Sequence, residues 1–102
     1  MAFRFGIIGT GIMGKAGAKI LQQLEGVEVV ALADPSENSL TGASSELGVS
    51  ATYARYQEML EHVTLDAVYV ATPDQYHRGP CIDALQAGCH VFVEKPMATT
   101  QE

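Results

Sequence analysis

Gly9-Thr10-Gly11-Ile12-Met13-Gly14 is the stretch whose reading decides the fold. It has the form G-x-G-x-x-G, and its meaning comes from what flanks it. Residues 3–8 are a short apolar run of the kind that forms a buried strand. Residues 11–24 read as a helix with Ile12, Ala16, Ile20 and Leu24 near one face, ending before Gly26. A glycine turn between a strand and a helix is built to cradle a pyrophosphate. Gly9 allows the tight turn out of the strand, Gly11 has no side chain to hold a phosphate off the backbone, and Gly14 lets the helix pack closely on the strand. The first turn of the helix adds N–H groups without helical partners and a partial positive charge.

Residues 27–33 form a second strand, and Asp34 ends it 20 residues after Gly14 (34 − 14). A carboxylate at that place accepts hydrogen bonds from a ribose diol and repels a 2′-phosphate, which favours NAD over NADP. No Arg or Lys lies between Lys19 and Arg55 to serve as a local partner for such a phosphate. Because Pro35-Ser36 follows, the competing reading of Asp34 is a turn cap.

The rest of the chain repeats the alternation. A helix over 39–47 is stopped by Gly48, and 49–53 is a weak strand. A short helix over 56–63 turns Tyr56, Met59, Leu60 and Val63 inward. Residues 66–71 form a strand, Thr72-Pro73-Asp74 a turn, 80–87 a helix opened by Pro80, and 89–94 the last strand. The fold class is therefore α/β, a doubly wound parallel sheet of the Rossmann type in strand order 3-2-1-4-5. Ligands of such sheets sit beyond the carboxyl ends of the strands, at the switch between strands 1 and 4. Ala71-Thr72-Pro73-Asp74-Gln75-Tyr76-His77 and Val93-Glu94-Lys95-Pro96 should border the nicotinamide half of the site.

Composition bounds the alternatives. Twelve acidic against six basic residues give a net charge of -6, which disfavours sequence-independent nucleic-acid binding. A phosphate held by backbone N–H groups needs no positive net charge. The apolar start is interrupted by Arg4 and Gly6 and is too short for a signal peptide or a membrane span, so the expected location is cytoplasmic, with no membrane partner. Cys81 and Cys89 make no disulfide framework. With His77 and His90 they give H-x3-C-x7-C-H, which is no recognised zinc pattern, and no metal is expected. Cys81 reads as a small core residue, His62 as solvent-facing, and Tyr53 and Tyr56 as packing residues. Thr99-Thr100-Gln101-Glu102 matches a capping box, so residues 1–102 are read as one dinucleotide-binding domain, incomplete at its C-terminal side and lacking a second, substrate domain.

The glycine loop, Ala33-Asp34-Pro35, Ala71-Thr72-Pro73 with His77, Ala87-Gly88 and Glu94-Lys95-Pro96 together resemble the N-terminal half of the Gfo/Idh/MocA oxidoreductases. Glu94-Lys95-Pro96 is the most specific of these, and the likeness spans essentially the whole chain. The resemblance implies an NAD cofactor lined by Gly9, Thr10, Gly11, Ile12, Met13, Gly14, Asp34, Pro35, Ala71, Thr72, Pro73, His77, Glu94, Lys95 and Pro96. It implies that Lys95 is catalytic, hydrogen-bonding the reacting oxygen, and that Pro96 is a cis-proline. Asp74 departs from the asparagine usual in the family and adds a negative charge beside the expected ribose and nicotinamide contacts. The implied reaction is hydride transfer between a nicotinamide and a hydroxyl-bearing carbon of a small sugar or cyclitol, with the proton-transferring residue in the second domain. The isolated chain is expected to bind cofactor without turnover. The rival from another class is a non-catalytic dinucleotide sensor. A CoA-ligase nucleotide domain is a third reading, opposed by Asp34 and Glu94-Lys95-Pro96. The sheet edge beside the fifth strand is a route to homo-oligomers.

Overall fold

The computed structural model describes residues 2–71 and 78–93. Its elements follow in the order β1 (Phe3–Ile8), α1 (Ile12–Gln22), β2 (Val27–Ala33), α2 (Glu37–Leu47), β3 (Thr52–Tyr53), α3 (Tyr56–His62), β4 (Ala67–Val70), α4 (Arg78–Gln86) and β5 (His90–Val93). The strands form one parallel sheet in the order β3-β2-β1-β4-β5, as the alternation predicts. Ile8 pairs with Ala33 on one side and Val70 on the other, and Val70 pairs with Val93. The carboxyl ends of β2, β1, β4 and β5 are therefore level, and the residues that follow each strand start from one edge.

Two cores lie on opposite faces. Phe5, Ile7, Val29 and Leu32 pack under α1 and α2 with Ala18, Leu40, Ala43 and Leu47. Ile8, Ala31, Val68 and Val70 pack under α3 and α4 with Met59, Ala84 and Cys89. Hydrogen-bonded side chains tie helices to each other. Lys15 and Lys19 of α1 bracket Glu46 of α2 at 3.1 and 2.6 Å, and the hydrogen bond from Lys19 followed by that from Lys15 holds the Glu46 carboxyl below its usual range. The Tyr56 hydroxyl donates to Asp83 at 2.7 Å, joining α3 to α4. Burial, reinforced by Asp83, pushes that phenol up to about 12, so it stays a donor at neutral pH.

The structure corrects the reading of α1. Ile12, Ala16, Ile20 and Leu24 face outward, with Ile12 83% and Ile20 61% exposed. The buried positions are Gly14 and Ala18. The reason is proximity. A Cβ at Gly17 would fall 2.3 Å from the Tyr69 ring, so the helix lies too close to the sheet for large side chains to fit between them. Gly14, Gly17 and Ala18 take the inner face where the helix runs nearest the sheet, Leu21 packs on the core a turn later, and the stripe of Ile12, Ala16 and Ile20 lies on the other side.

Smaller differences have local causes. α2 begins at Glu37, two residues before the predicted start, because Ser36 supplies an N-cap. It ends as predicted at Gly48, which takes the left-handed φ of 71°. α4 includes Arg78, so Pro80 is not its first residue. Pro80 still lies in the first turn, where helix N–H groups have no partner to lose. β3 is confined to Thr52–Tyr53. Cys89 is buried and His90 exposed, the opposite facing that neighbouring strand positions impose.

Candidate functional site

The glycine loop bridges β1 and α1 at the level edge of the sheet. Gly9 adopts φ +97°, and its N–H donates to the Ala33 carbonyl at 2.9 Å. The turn is therefore left-handed, which glycine tolerates at no steric cost, and it is anchored to the end of β2. A Cβ at Gly14 would lie 1.8 Å from the Gly9 carbonyl oxygen and 2.9 Å from the Gly9 carbonyl carbon. Only glycine fits where α1 crosses this turn. Gly11 is different. It is the N-cap of α1 in an extended conformation, and among the described residues a Cβ there would meet nothing within 4 Å. None of those residues requires Gly11 to be a glycine, whereas a ligand lying on the loop would.

The N-terminus of α1 is open to such a ligand. No side chain caps it, and no acidic residue lies in its first turn. N–H groups at an uncapped helix start favour an anion through their hydrogen bonds and the helix dipole. Ile12 and Met13 are exposed beside it.

Asp34 follows β2, half-buried, beside the loop. Its Oδ2 accepts from the Thr10 N–H at 2.7 Å and from the Thr10 hydroxyl at 3.1 Å. Its Oδ1 accepts from the Ser36 N–H at 2.7 Å. The carboxylate is thus both a local cap for the Asp34-Pro35-Ser36 turn and a neighbour of the glycine loop. The two readings of Asp34 are compatible, because a carboxylate offers about four acceptor positions. Thr10 is 1% exposed, a buried polar side chain. It lies beneath the loop against Asp34, a contact across 24 residues that the motif spacing does not reveal. The signal that could have found it is strand register: Ile8 and Ala33 pair, so the residues just beyond each are neighbours.

Pro35 is exposed beside Asp34, and Ala71 continues the edge with its N–H donating to Ile8 at 2.8 Å. Thr72, Pro73, His77, Glu94, Lys95 and Pro96 lie outside the described residues, as do Asp74 and residues 99–102. His62 of α3 is exposed and stacks on Tyr53 of β3 with centroids 6.2 Å apart. Cys81 is half-buried and Cys89 buried, and burial pushes both thiols up, so neither is a ready nucleophile. Among the described residues, no helix is long and apolar enough to cross a membrane.

The residues present fit a dinucleotide phosphate: an open backbone cradle at Gly11, uncapped amides behind it, and a carboxylate at the end of the adjacent strand. Comparisons with known proteins agree. A family model for oxidoreductases with an NAD-binding Rossmann fold, the Gfo/Idh/MocA family, matches residues 3–102. An inositol 2-dehydrogenase/D-chiro-inositol 3-dehydrogenase of Halalkalibacterium halodurans is 34% identical over all of this chain, and the chain spans 30% of that relative. The crystal structure of scyllo-inositol dehydrogenase from Lactobacillus casei with bound NAD(H) and scyllo-inositol superposes with a TM-score of 0.86 at 32% identity, covering 94% of this chain and 28% of that one. The WlbA dehydrogenase from Bordetella pertussis in complex with NADH and UDP-GlcNAcA gives 0.88 at 32% identity, covering 95% of this chain and 30% of that one.

Proposed function

This chain belongs to the Gfo/Idh/MocA oxidoreductase family, with its NAD-binding Rossmann fold, and on that premise we propose that it is the cofactor-binding part of an NAD-dependent dehydrogenase acting on a sugar, cyclitol or similar polyol. The observation that carries this reading is the pairing of an open, uncapped glycine loop with the Asp34 carboxylate held against it. The pyrophosphate lies on the amides of Gly11, Ile12, Met13 and Gly14. The adenosine ribose meets Asp34, whose negative charge repels a 2′-phosphate and selects NAD over NADP. When bound, the nicotinamide supplies a hydride acceptor or donor at its C4.

The other groups follow from the family resemblance and the sheet. β4 and β5 end level with β1, and the nicotinamide half of a dinucleotide belongs at the switch point beyond those strand ends. Thr72, Pro73 and His77 line that half, and Lys95, between Glu94 and Pro96, donates a hydrogen bond to the reacting oxygen and stabilises negative charge on it. Two of the matching structures hold different small molecules beside the cofactor, scyllo-inositol in one and UDP-GlcNAcA in the other. Since the chain spans 30% of the inositol dehydrogenase it matches, the proton-transferring group and most substrate contacts other than Lys95 are assigned to residues outside these 102. The chain alone then binds cofactor without turnover.

The test is calorimetric titration of the chain with NAD and with NADP. Saturable binding of NAD, tighter than that of NADP, is expected. Failure of NAD to bind, or a reversed preference, overturns the assignment.

A further inference from the structure

We propose that Thr10 is the positioning residue for Asp34: its buried hydroxyl and its amide together occupy Oδ2, which leaves Oδ1 as the oxygen that meets the ribose. Thr10 thereby sets how strongly the site discriminates between NAD and NADP. The inference rests on the reading above that Asp34 meets the ribose.

The hydrogen-bond count carries it. A carboxylate oxygen accepts about two good hydrogen bonds. Oδ2 has two, from the Thr10 amide at 2.7 Å and the Thr10 hydroxyl at 3.1 Å. Among the described residues Oδ1 has one, from the Ser36 amide at 2.7 Å, and so retains a place for a hydroxyl donor. The three donors come from two directions, which fixes the plane of the carboxylate as well as its position.

Burial makes the Thr10 contact persistent. At 1% exposure the hydroxyl has no water to exchange Asp34 for, and a buried donor left without an acceptor is costly. Asp34 is half-buried, so its free side stays within reach of a ligand. Strand pairing supports the arrangement from both ends. Ile8 pairs with Ala33, and the Gly9 N–H donates to the Ala33 carbonyl, so Thr10 and Asp34 leave paired strands side by side. One residue of the phosphate loop is therefore fastened to the ribose carboxylate, and a pyrophosphate seated on the loop also holds the group that reads the sugar beside it.

A merely structural tie between β1 and β2 predicts something else. Its loss lowers stability and weakens NAD and NADP alike, leaving their ratio unchanged. The experiment separates the two with the full 102-residue chain. NAD and NADP affinities are measured by calorimetry, with melting followed by circular dichroism, for the natural chain, Thr10→Val, Thr10→Ser, Asp34→Ala and the Thr10→Val/Asp34→Ala double variant. Thr10→Val should weaken NAD by roughly 10-fold and NADP by no more than about 2-fold, the size of one lost charge-assisted hydrogen bond. Thr10→Ser, which keeps the hydroxyl, should stay within about 2-fold of the natural chain. In the Asp34→Ala background, Thr10→Val should have no further effect on the ratio. Equal weakening of both cofactors by Thr10→Val, or an unchanged ratio, overturns the positioning role while Asp34→Ala still shows whether Asp34 selects NAD. A natural chain without NAD preference, or an Asp34→Ala variant that retains it, overturns the Asp34 reading and this inference with it. Thr10→Ala removes the same hydroxyl with less bulk. If neither hydroxyl-free variant folds, the tie serves the fold and the proposal fails.

Discussion

Helices α1 and α2 leave the same edge of the sheet after consecutive strands, yet they begin in opposite ways. α2 completes itself. Ser36 accepts from the Ser39 N–H, and Glu37 lies in the first turn against the positive end of the dipole. α1 begins at Gly11 with neither a side-chain cap nor an acidic residue. The two also use a glycine differently. Gly14 of α1 is pressed against the Gly9 carbonyl, while a Cβ at Gly42 of α2 would meet open space. One helix start serves the fold alone. The other leaves its amides unmet and its approach clear, the arrangement a phosphate ligand needs. The same edge of one small sheet thus carries one capped helix start and one left open, and cap chemistry tells them apart.

Substitutions on either side can break that contrast. The largest effect should come from Gly14→Ala, whose Cβ would sit 1.8 Å from a backbone oxygen that cannot swing aside. Urea unfolding should show a loss of about 3 kcal/mol or more, and a loss below about 1 kcal/mol would show that α1 can shift off the turn. Gly11→Val should spare the fold, since nothing lies within 4 Å of that Cβ. It should weaken NAD by roughly 100-fold or more, about 2.7 kcal/mol, in the same titration. Unchanged affinity would remove the ligand from the loop. Ser36→Ala should lower stability by about 1 kcal/mol in thermal unfolding and leave NAD affinity alone. A large affinity loss there would mean that α2 shares the site. Gly42→Ala, in open space on the same helix, should raise stability by about 0.5–1 kcal/mol.

What the sequence disclosed depended on whether the cause was local. The loop, the alternation and the strand order were legible because each rests on short-range chemistry: glycines at fixed offsets, β-branched runs, and the handedness of crossovers. The inner face of α1 was not. Its apolar stripe at Ile12, Ala16 and Ile20 suggests an inward face, but Gly14 lies against the Gly9 carbonyl, Gly17 against Tyr69, and Ala18 and Leu21 on the core, and these approaches are tertiary facts. The Thr10–Asp34 contact escaped for the same reason. Each residue was identifiable as part of a motif, but their bond depends on how β1 and β2 align. Lys95 and the residues around it are legible only through family resemblance, since a lysine at a strand end is commonly a solvated charge.

The most direct test maps the ligand onto the two helix starts. Titration of isotopically labelled chain with NAD, followed through its amide resonances, should shift Gly9, Thr10, Gly11, Ile12, Met13, Gly14 and Asp34 together, while Glu37, Asn38 and Ser39 at the start of α2 stay in place. Shifts of equal size at both helix starts, or none at the glycine loop at saturating NAD, would contradict the assignment of α1 as the binding terminus.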